Sequence, residues 1–274
     1  MSTEIELQFQ EWDLNKSKYE ETDFLPLMAT PGPIAMILIA YLLFVLKIGP
    51  SIMSKRESFK LTKTLLLYNA IQVVFSAYLV QMNFKMILRY GLIPKTCYIN
   101  NENYRKEMIY VMWMYFAAKV SELLDTVFFV LRKKDKQITF LHIYHHSTVL
   151  LTSWAFLKYW PSETLFFIGF INSLIHVFMY LYYGLTALGP RVSKFVFWKK
   201  YMTKMQMIQL ASIIVHYIVA VQWSECPLTR GVATFIPFNT AVYLLLFLNF
   251  YWQNYKEGNK IQFVNTCNPS DKEA

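Results

Sequence analysis

Residues 164–184 read TLFFIGFINSLIHVFMYLYYG, 21 positions without an Asp, Glu, Lys or Arg. About 20 apolar residues in a helix cross the hydrocarbon core of a bilayer, so this stretch predicts a transmembrane helix. Six further apolar runs have comparable length: 33–49, 65–87, 108–131, 138–157, 203–223 and 232–253, with 33–49 and 138–157 at the short end. The chain of 274 residues is 55% hydrophobic, 18% aromatic and 16% charged, outside the range of soluble globular domains. Repeats, low-complexity tracts and linkers are missing from the sequence. The expected fold is an all-α membrane protein of seven transmembrane helices forming one domain over residues 1–274.

The net charge of +9 would suit nucleic acid, but its placement argues for membrane topology instead. Segments 53–64, 132–137 and 185–204 hold four, four and five Lys or Arg, whereas the alternating connections 88–107, 158–163 and 224–231 hold four, one and one. The positive-inside rule makes the first set cytosolic. The acidic segment 1–30 then lies in the lumen, and the tail 255–274 in the cytosol. No cleaved signal peptide is expected, because no basic stretch precedes a short apolar core. Cys97 and Cys226 fall in lumenal connections, where either a disulfide or two separate thiols can persist. Asn15-Lys16-Ser17 is a glycosylation triplet on the same side.

The apolar spans are interrupted by groups that are expensive in a membrane. Residues 119–126 read KVSELLDT, which puts Lys119, Glu122 and Thr126 on one helical stripe with Asp125 beside it. A structural ion pair between helices and an orienting role toward nearby histidines are both open. Residues 137–148 read QITFLHIYHHST and carry His142, His145 and His146, three of the five histidines in the chain. Helical spacing crowds these imidazoles on one side, where they can serve as base, nucleophile or metal ligand. Asn172 and His176 follow at i, i+4, then Tyr180. Gln206 and Gln209 come later and read equally as interhelical glue. His216 stands apart and reads as structural. At 1.5 Å per residue, Asp125, His145, His176 and Gln209 each lie roughly 8–13 Å from the cytosolic boundary of their own span. That shared depth predicts one buried site opening to the cytosol. Apolar walls beyond it suit an amphiphile, with Arg132, Lys133, Lys199, Lys200 and Lys204 able to hold an anionic head.

In these features the chain resembles the very-long-chain fatty-acid elongases. The resemblance rests on Gly49-Pro50, FKLTKTLLLYN at 59–69, KVSELLDT at 119–126 and QITFLHIYHH at 137–146. It continues through NSLIHVFMYLYY at 172–183, Gly189-Pro190 and TKMQMIQ at 203–209. It implies a seven-helix enzyme of the endoplasmic reticulum, with an active-site tunnel, that condenses a long-chain acyl-CoA with malonyl-CoA. The product is a 3-oxoacyl-CoA two carbons longer, with release of CO2 and CoA. No cofactor or metal is implied.

On this resemblance His145 is the nucleophile that takes the acyl group. His142, Glu122 and Asp125 orient the imidazoles, and His146 is an acid/base or supporting group. His176 and Asn172 stabilise the developing enolate, while Lys119, Gln206, Gln209 and Tyr180 position the thioester. Expected partners are the two substrates, membrane lipids, and the reductases and dehydratase that process the product. A homodimer is compatible, and nucleic acid is not expected. The form of the histidine segment suggests substrates of C16–C22. Two other readings compete: a membrane di-iron desaturase or hydroxylase, which also uses HxxHH boxes but needs more histidines than five, and a seven-helix receptor or transporter.

Overall fold

The computed structural model describes residues 13–95, 100–189, 192, 198–224 and 230–257. Among these residues the chain is helical and contains no strand. The helices are α1 (Glu20–Asp23), α2 (Gly32–Leu43), α3 (Gly49–Ser54), α4 (Thr62–Tyr90), α5 (Glu102–Leu131), α6 (Phe140–Tyr159), α7 (Leu165–Ala187), α8 (Lys199–Trp223) and α9 (Arg230–Tyr251). Five helical segments among the described residues are long and apolar enough to cross a membrane: Gly32–Ser54, Thr62–Tyr90, Leu165–Ala187, Lys200–Trp223 and Gly231–Tyr255. The chain is thus read as a multi-pass membrane protein. Helices α5 and α6 occupy the other two runs named from the sequence. At 30 and 20 residues they reach the length of a span, but the ionisable groups and histidines they carry dilute their apolarity.

The chain groups into two compact units, 1–59 with 98–162 and 60–97 with 163–274. Apolar periodicity marks each helix but says little about which helices pair.

In the first unit, α5 packs along α6 and against the segment that runs from α2 to α3. The sequence reading ends the first span at Gly49-Pro50, yet the helix continues to Ser54 through a π turn at Phe44–Ile48. Pro50 has no N–H to give the preceding turn, and the widened turn accommodates that loss. Gly49 is required by close approach: a Cβ there would lie 2.7 Å from Val130 Cγ1 on α5. Asn101 caps α5 by accepting a hydrogen bond from the Tyr104 N–H at 3.1 Å.

Residues 13–30 form a strap across the end of α6, held by a lysine that the sequence suggests lies in a connection. Lys158 is fully buried at 0% exposure. Its ammonium lies 2.8 Å from Asp23 Oδ1, 2.7 Å from the Met28 carbonyl, and 3.0–3.2 Å from the Asn15 carbonyl, Ser17 Oγ and the Ala29 carbonyl. Ser17 also donates to Asp23. Trp113 and Trp154 donate their indole N–H groups to the carbonyls of Pro26 and Leu27, and Arg105 pairs with Glu21 at 2.7 Å. The sequence reading leaves 1–30 as a loose polar segment. Most of the oxygens that hold residues 13–30 belong to the backbone, which a side-chain pattern does not display.

In the second unit α4 packs along α7, α7 against α8, and α8 against α9. The α4–α7 pairing is antiparallel: Gly184 faces Asn69, and a Cβ on Gly169 would lie 2.5 Å from Asn83 Oδ1. His216 on α8 stacks on Phe167 with ring centres 4.3 Å apart, and its Nε2 lies 3.0 Å from the Leu92 carbonyl. That geometry gives His216 a structural pinning role.

Partial burial opposes the charged form of Asp23, but the hydrogen bonds from Lys158 and Ser17 overcome it and hold the carboxyl below its ordinary range. The hydrogen bond from Arg105 lowers Glu21 likewise. The electrostatic hold on the strap is therefore present above about pH 4, the unfolded value, and fades as acid titrates both groups through their lowered values. Lys158→Met keeps the side-chain length and removes the cation, with an expected cost of about 3–5 kcal/mol. Limited trypsin digestion at neutral pH checks this: cleavage after Lys16 and Lys18 should accelerate strongly in the variant, and an unchanged rate would contradict the clamp.

Candidate active site

The histidine motif occupies the first two turns of α6. Thr139 caps that helix, its hydroxyl accepting from the His142 backbone N–H at 3.2 Å. The capped start fixes the direction in which the following turns project. His142 and His146 then meet across one turn with their rings tilted at 52°, ring centres 4.3 Å apart, and His145 meets His146 edge-on at 5.6 Å. Phe129 of α5 packs against His142 at 5.3 Å. All three imidazoles are half-buried. The polar partner of the His142 ring is the Thr126 hydroxyl, 2.9 Å from Nε2. The sequence reading assigns Glu122 and Asp125, with His142, to orienting the imidazoles. Thr126 lies on the same face of α5, one turn beyond Glu122, and is the residue that contacts the His142 ring nitrogen.

Glu122 pairs with Lys119. The Lys119 ammonium lies 2.8 and 3.1 Å from its two oxygens, both side chains are less than 5% exposed, and the Tyr115 ring lies 4.7 Å from the same ammonium. Lys119, Glu122 and Thr126 share the buried stripe that their spacing predicts, while Asp125 is half-buried beside it. The opposite charges of Lys119 and Glu122 both reach His146. Arg132 and Lys133 lie in the connection between α5 and α6, half-buried and exposed respectively.

In the second unit Asn172, His176 and Tyr180 form a buried ladder on α7. His176 meets Tyr180 edge-on at 5.7 Å, and Tyr68 of α4 meets Tyr180 at 6.0 Å. On α8 Gln209 is buried and Gln206 half-buried. Lys200 lies over the Tyr251 ring and Lys204 over Tyr201, at 6.0 and 5.7 Å. Lys199 begins α8, but its side chain is outside the described set, as are Cys97 and Cys226. Asn15 is exposed on the strap. Among the described residues no three His, Cys, Asp or Glu side chains converge as a metal ligand set.

A profile of the ELO (GNS1/SUR4) family matches residues 26–262, nearly the full length. The chain belongs to the GNS1/SUR4 family. It is 38% identical over 246 residues to "Very long chain fatty acid elongase 7" of Drosophila melanogaster, covering 88% of this chain and 74% of the fly protein. It is also 38% identical over 237 residues to "Very long chain fatty acid elongase 4" of Homo sapiens, covering 86% and 75% of the two chains. Against "Very long chain fatty acid elongase 1" of Mus musculus the identity is 36% over 242 residues, 86% of each.

Two sets of residues escape the sequence reading of this family member. The hydroxyl of Tyr41 on α2 hydrogen-bonds with the Thr126 hydroxyl across 2.9 Å, and a lone tyrosine in an apolar run gives no signal. The second set is legible in retrospect. Asn69, Gln72, Ser76 and Asn83 are all buried on α4 and, with Leu65, Leu79 and Met86, repeat at alternating steps of four and three. Such spacing marks a single helix-packing seam, here facing α7.

The ion pair gives a direct test. Glu122→Gln leaves the Lys119 ammonium buried without its counterion, with an expected loss of about 3–5 kcal/mol. Thermal unfolding in detergent should show a clear fall in midpoint for Glu122→Gln and a partial recovery in Lys119→Met/Glu122→Leu. No recovery in the double variant would mean that the pair is not the unit of stability.

Proposed function

We propose that this chain is the condensing enzyme of fatty-acid elongation, acting on a long-chain acyl-CoA and malonyl-CoA. The observation that carries the reading is the packed triplet His142, His145 and His146 beside the buried Lys119–Glu122 pair, in a member of a family whose relatives bear elongase names. Intramembrane imidazoles in mutual contact suit group transfer better than passive packing.

The chemistry runs in two steps. His145 attacks the thioester carbonyl, the C–S bond breaks, and CoA leaves as the thiol while the acyl group stays on the imidazole. Malonyl-CoA then loses CO2, and the resulting carbanion attacks the acyl carbon. The new C–C bond forms as the acyl C–N bond breaks, His145 regains the proton it lost with CoA from the acid/base group His146 or from water, and the 3-oxoacyl-CoA is released. Stabilisation of the developing enolate is assigned to Asn172 and His176, whose side chains can donate hydrogen bonds to an oxyanion. Lys119, Gln206, Gln209 and Tyr180 are assigned to substrate positioning, and Arg132, Lys133, Lys199, Lys200 and Lys204 to the CoA phosphates. The reaction needs no metal or cofactor.

The same reading counts α5 and α6 as spans, which gives seven. With the charge distribution of the connections it puts the N-terminus in the lumen of the endoplasmic reticulum and the C-terminus in the cytosol. A tunnel for the acyl chain, a Cys97–Cys226 disulfide, a glycan on Asn15 and a homodimer belong to this proposal, as does association with the reductases and dehydratase of the cycle.

The test is intact mass spectrometry of purified protein incubated with stearoyl-CoA alone. An acyl adduct on the wild type should discharge to 3-oxoacyl-CoA when malonyl-CoA is added, and His145→Ala should form no adduct. An adduct retained in His145→Ala and lost in His146→Ala would move the nucleophile one residue along. Product without any adduct would keep the condensation and remove the acyl-histidine step.

A further inference from the structure

The Thr126 hydroxyl lies 2.9 Å from His142 Nε2 on α6 and 2.9 Å from the phenolic oxygen of Tyr41 on α2. Thr126 is completely buried at 0% exposure, and Tyr41 is nearly so. Three side chains from three helices thus form a hydrogen-bonded line ending on the first histidine of the cluster. No motif quoted for the family resemblance includes Tyr41.

Counting protons gives this line a direction. Thr126 carries one hydroxyl proton and has two neighbours, so it can donate to only one of them. Thr126 is the hydrogen-bond partner of Tyr41 among the described residues. If Thr126 donated to Tyr41, the phenolic proton would be buried with nothing to accept it, which is the costly arrangement. A phenol is also a stronger acid than an alkyl alcohol and the better donor. Tyr41 therefore donates to Thr126, and Thr126 donates to Nε2 of His142. A neutral imidazole that accepts at Nε2 carries its proton on Nδ1. Each bond in such a chain polarises the next.

We propose that Tyr41 is a positioning residue, which through Thr126 holds His142 as the Nδ1–H tautomer and so fixes the orientation of the first imidazole of the cluster. His142 then lends a fixed ring for His146 to pack against, centres 4.3 Å apart, and its Nε2 is not free to attack a thioester. The catalytic consequence rests on the condensation reading above, while the tautomer itself does not.

The experiment uses full-length protein labelled with 15N at histidine, in micelles, with His142 assigned by its disappearance in His142→Asn. The 15N shifts distinguish a protonated from an unprotonated ring nitrogen. Wild type and Thr126→Ser should both show His142 protonated at Nδ1 and bare at Nε2. Tyr41→Phe and Thr126→Val should show a mixture of tautomers. In parallel, kcat should fall about tenfold in Tyr41→Phe with KM nearly unchanged, fall further in Thr126→Val, and stay near the wild-type value in Thr126→Ser. Wild-type His142 protonated at Nε2 would overturn the proposal, as would Tyr41→Phe with both tautomer and kcat unchanged. Should Tyr41→Phe or Thr126→Val fail to fold, the wild-type and Thr126→Ser spectra decide alone. A wild type that makes no 3-oxoacyl-CoA would remove the condensation reading and leave the tautomer to be judged from the spectra.

Discussion

Among the described residues of the first unit two lysine ammonium groups are buried, and the need to neutralise them shapes much of that unit. An uncompensated ammonium in a medium of low polarity is costly enough that the chain must bring oxygen to it. Lys119 is served locally by both oxygens of Glu122, one helical turn away, and by the Tyr115 ring. Lys158 is served from a distance. Its oxygens come from residues 15–29, more than a hundred positions earlier in the chain. The first solution leaves a compact pair of opposite charges on α5, within electrostatic reach of His146. The second fastens a strap to the far end of the helix that bears the histidines at its start.

These two compensations differ in what they do to chemistry. The Lys119–Glu122 pair is close to neutral overall, so it imposes a directional field on the imidazole cluster without a net charge. A carboxylate hydrogen-bonded to His142 would favour its imidazolium instead. Thr126 in that place offers a proton and no charge, which keeps the ring neutral and fixes its orientation.

Five of the seven apolar runs return as helices long and apolar enough to cross a membrane, and they are legible because a bilayer imposes one length on every span. The HxxHH and KxxExxDT spacings are legible because helix geometry converts intervals of three and four into a shared face. Lys119, Glu122 and Thr126 accordingly lie together as their spacing predicts. The continuation of the first helix through Gly49-Pro50 is not legible, because a proline usually reads as a stop and only the approach of Val130 explains the glycine before it. The Lys158 clamp is hidden for another reason: three of its five oxygens are backbone carbonyls, which every residue carries alike. Asn69, Gln72, Ser76 and Asn83 were available as a four-three repeat, but the apolar residues between them mask it.

Tyr41 illustrates the remaining gap between pattern and site. Its hydroxyl matters only through a partner 85 positions away, and its ring would be equally at home facing lipid. Sequence spacing reports on groups that share a helix, so it found Thr126 and the histidines but not the residue that orders them. Burial then decides the matter. A phenolic proton beside a single acceptor has one satisfactory direction, and that direction passes through Thr126 to one nitrogen of one imidazole. A choice of tautomer that three histidines in sequence leave entirely open is fixed by the desolvation of a tyrosine on another helix.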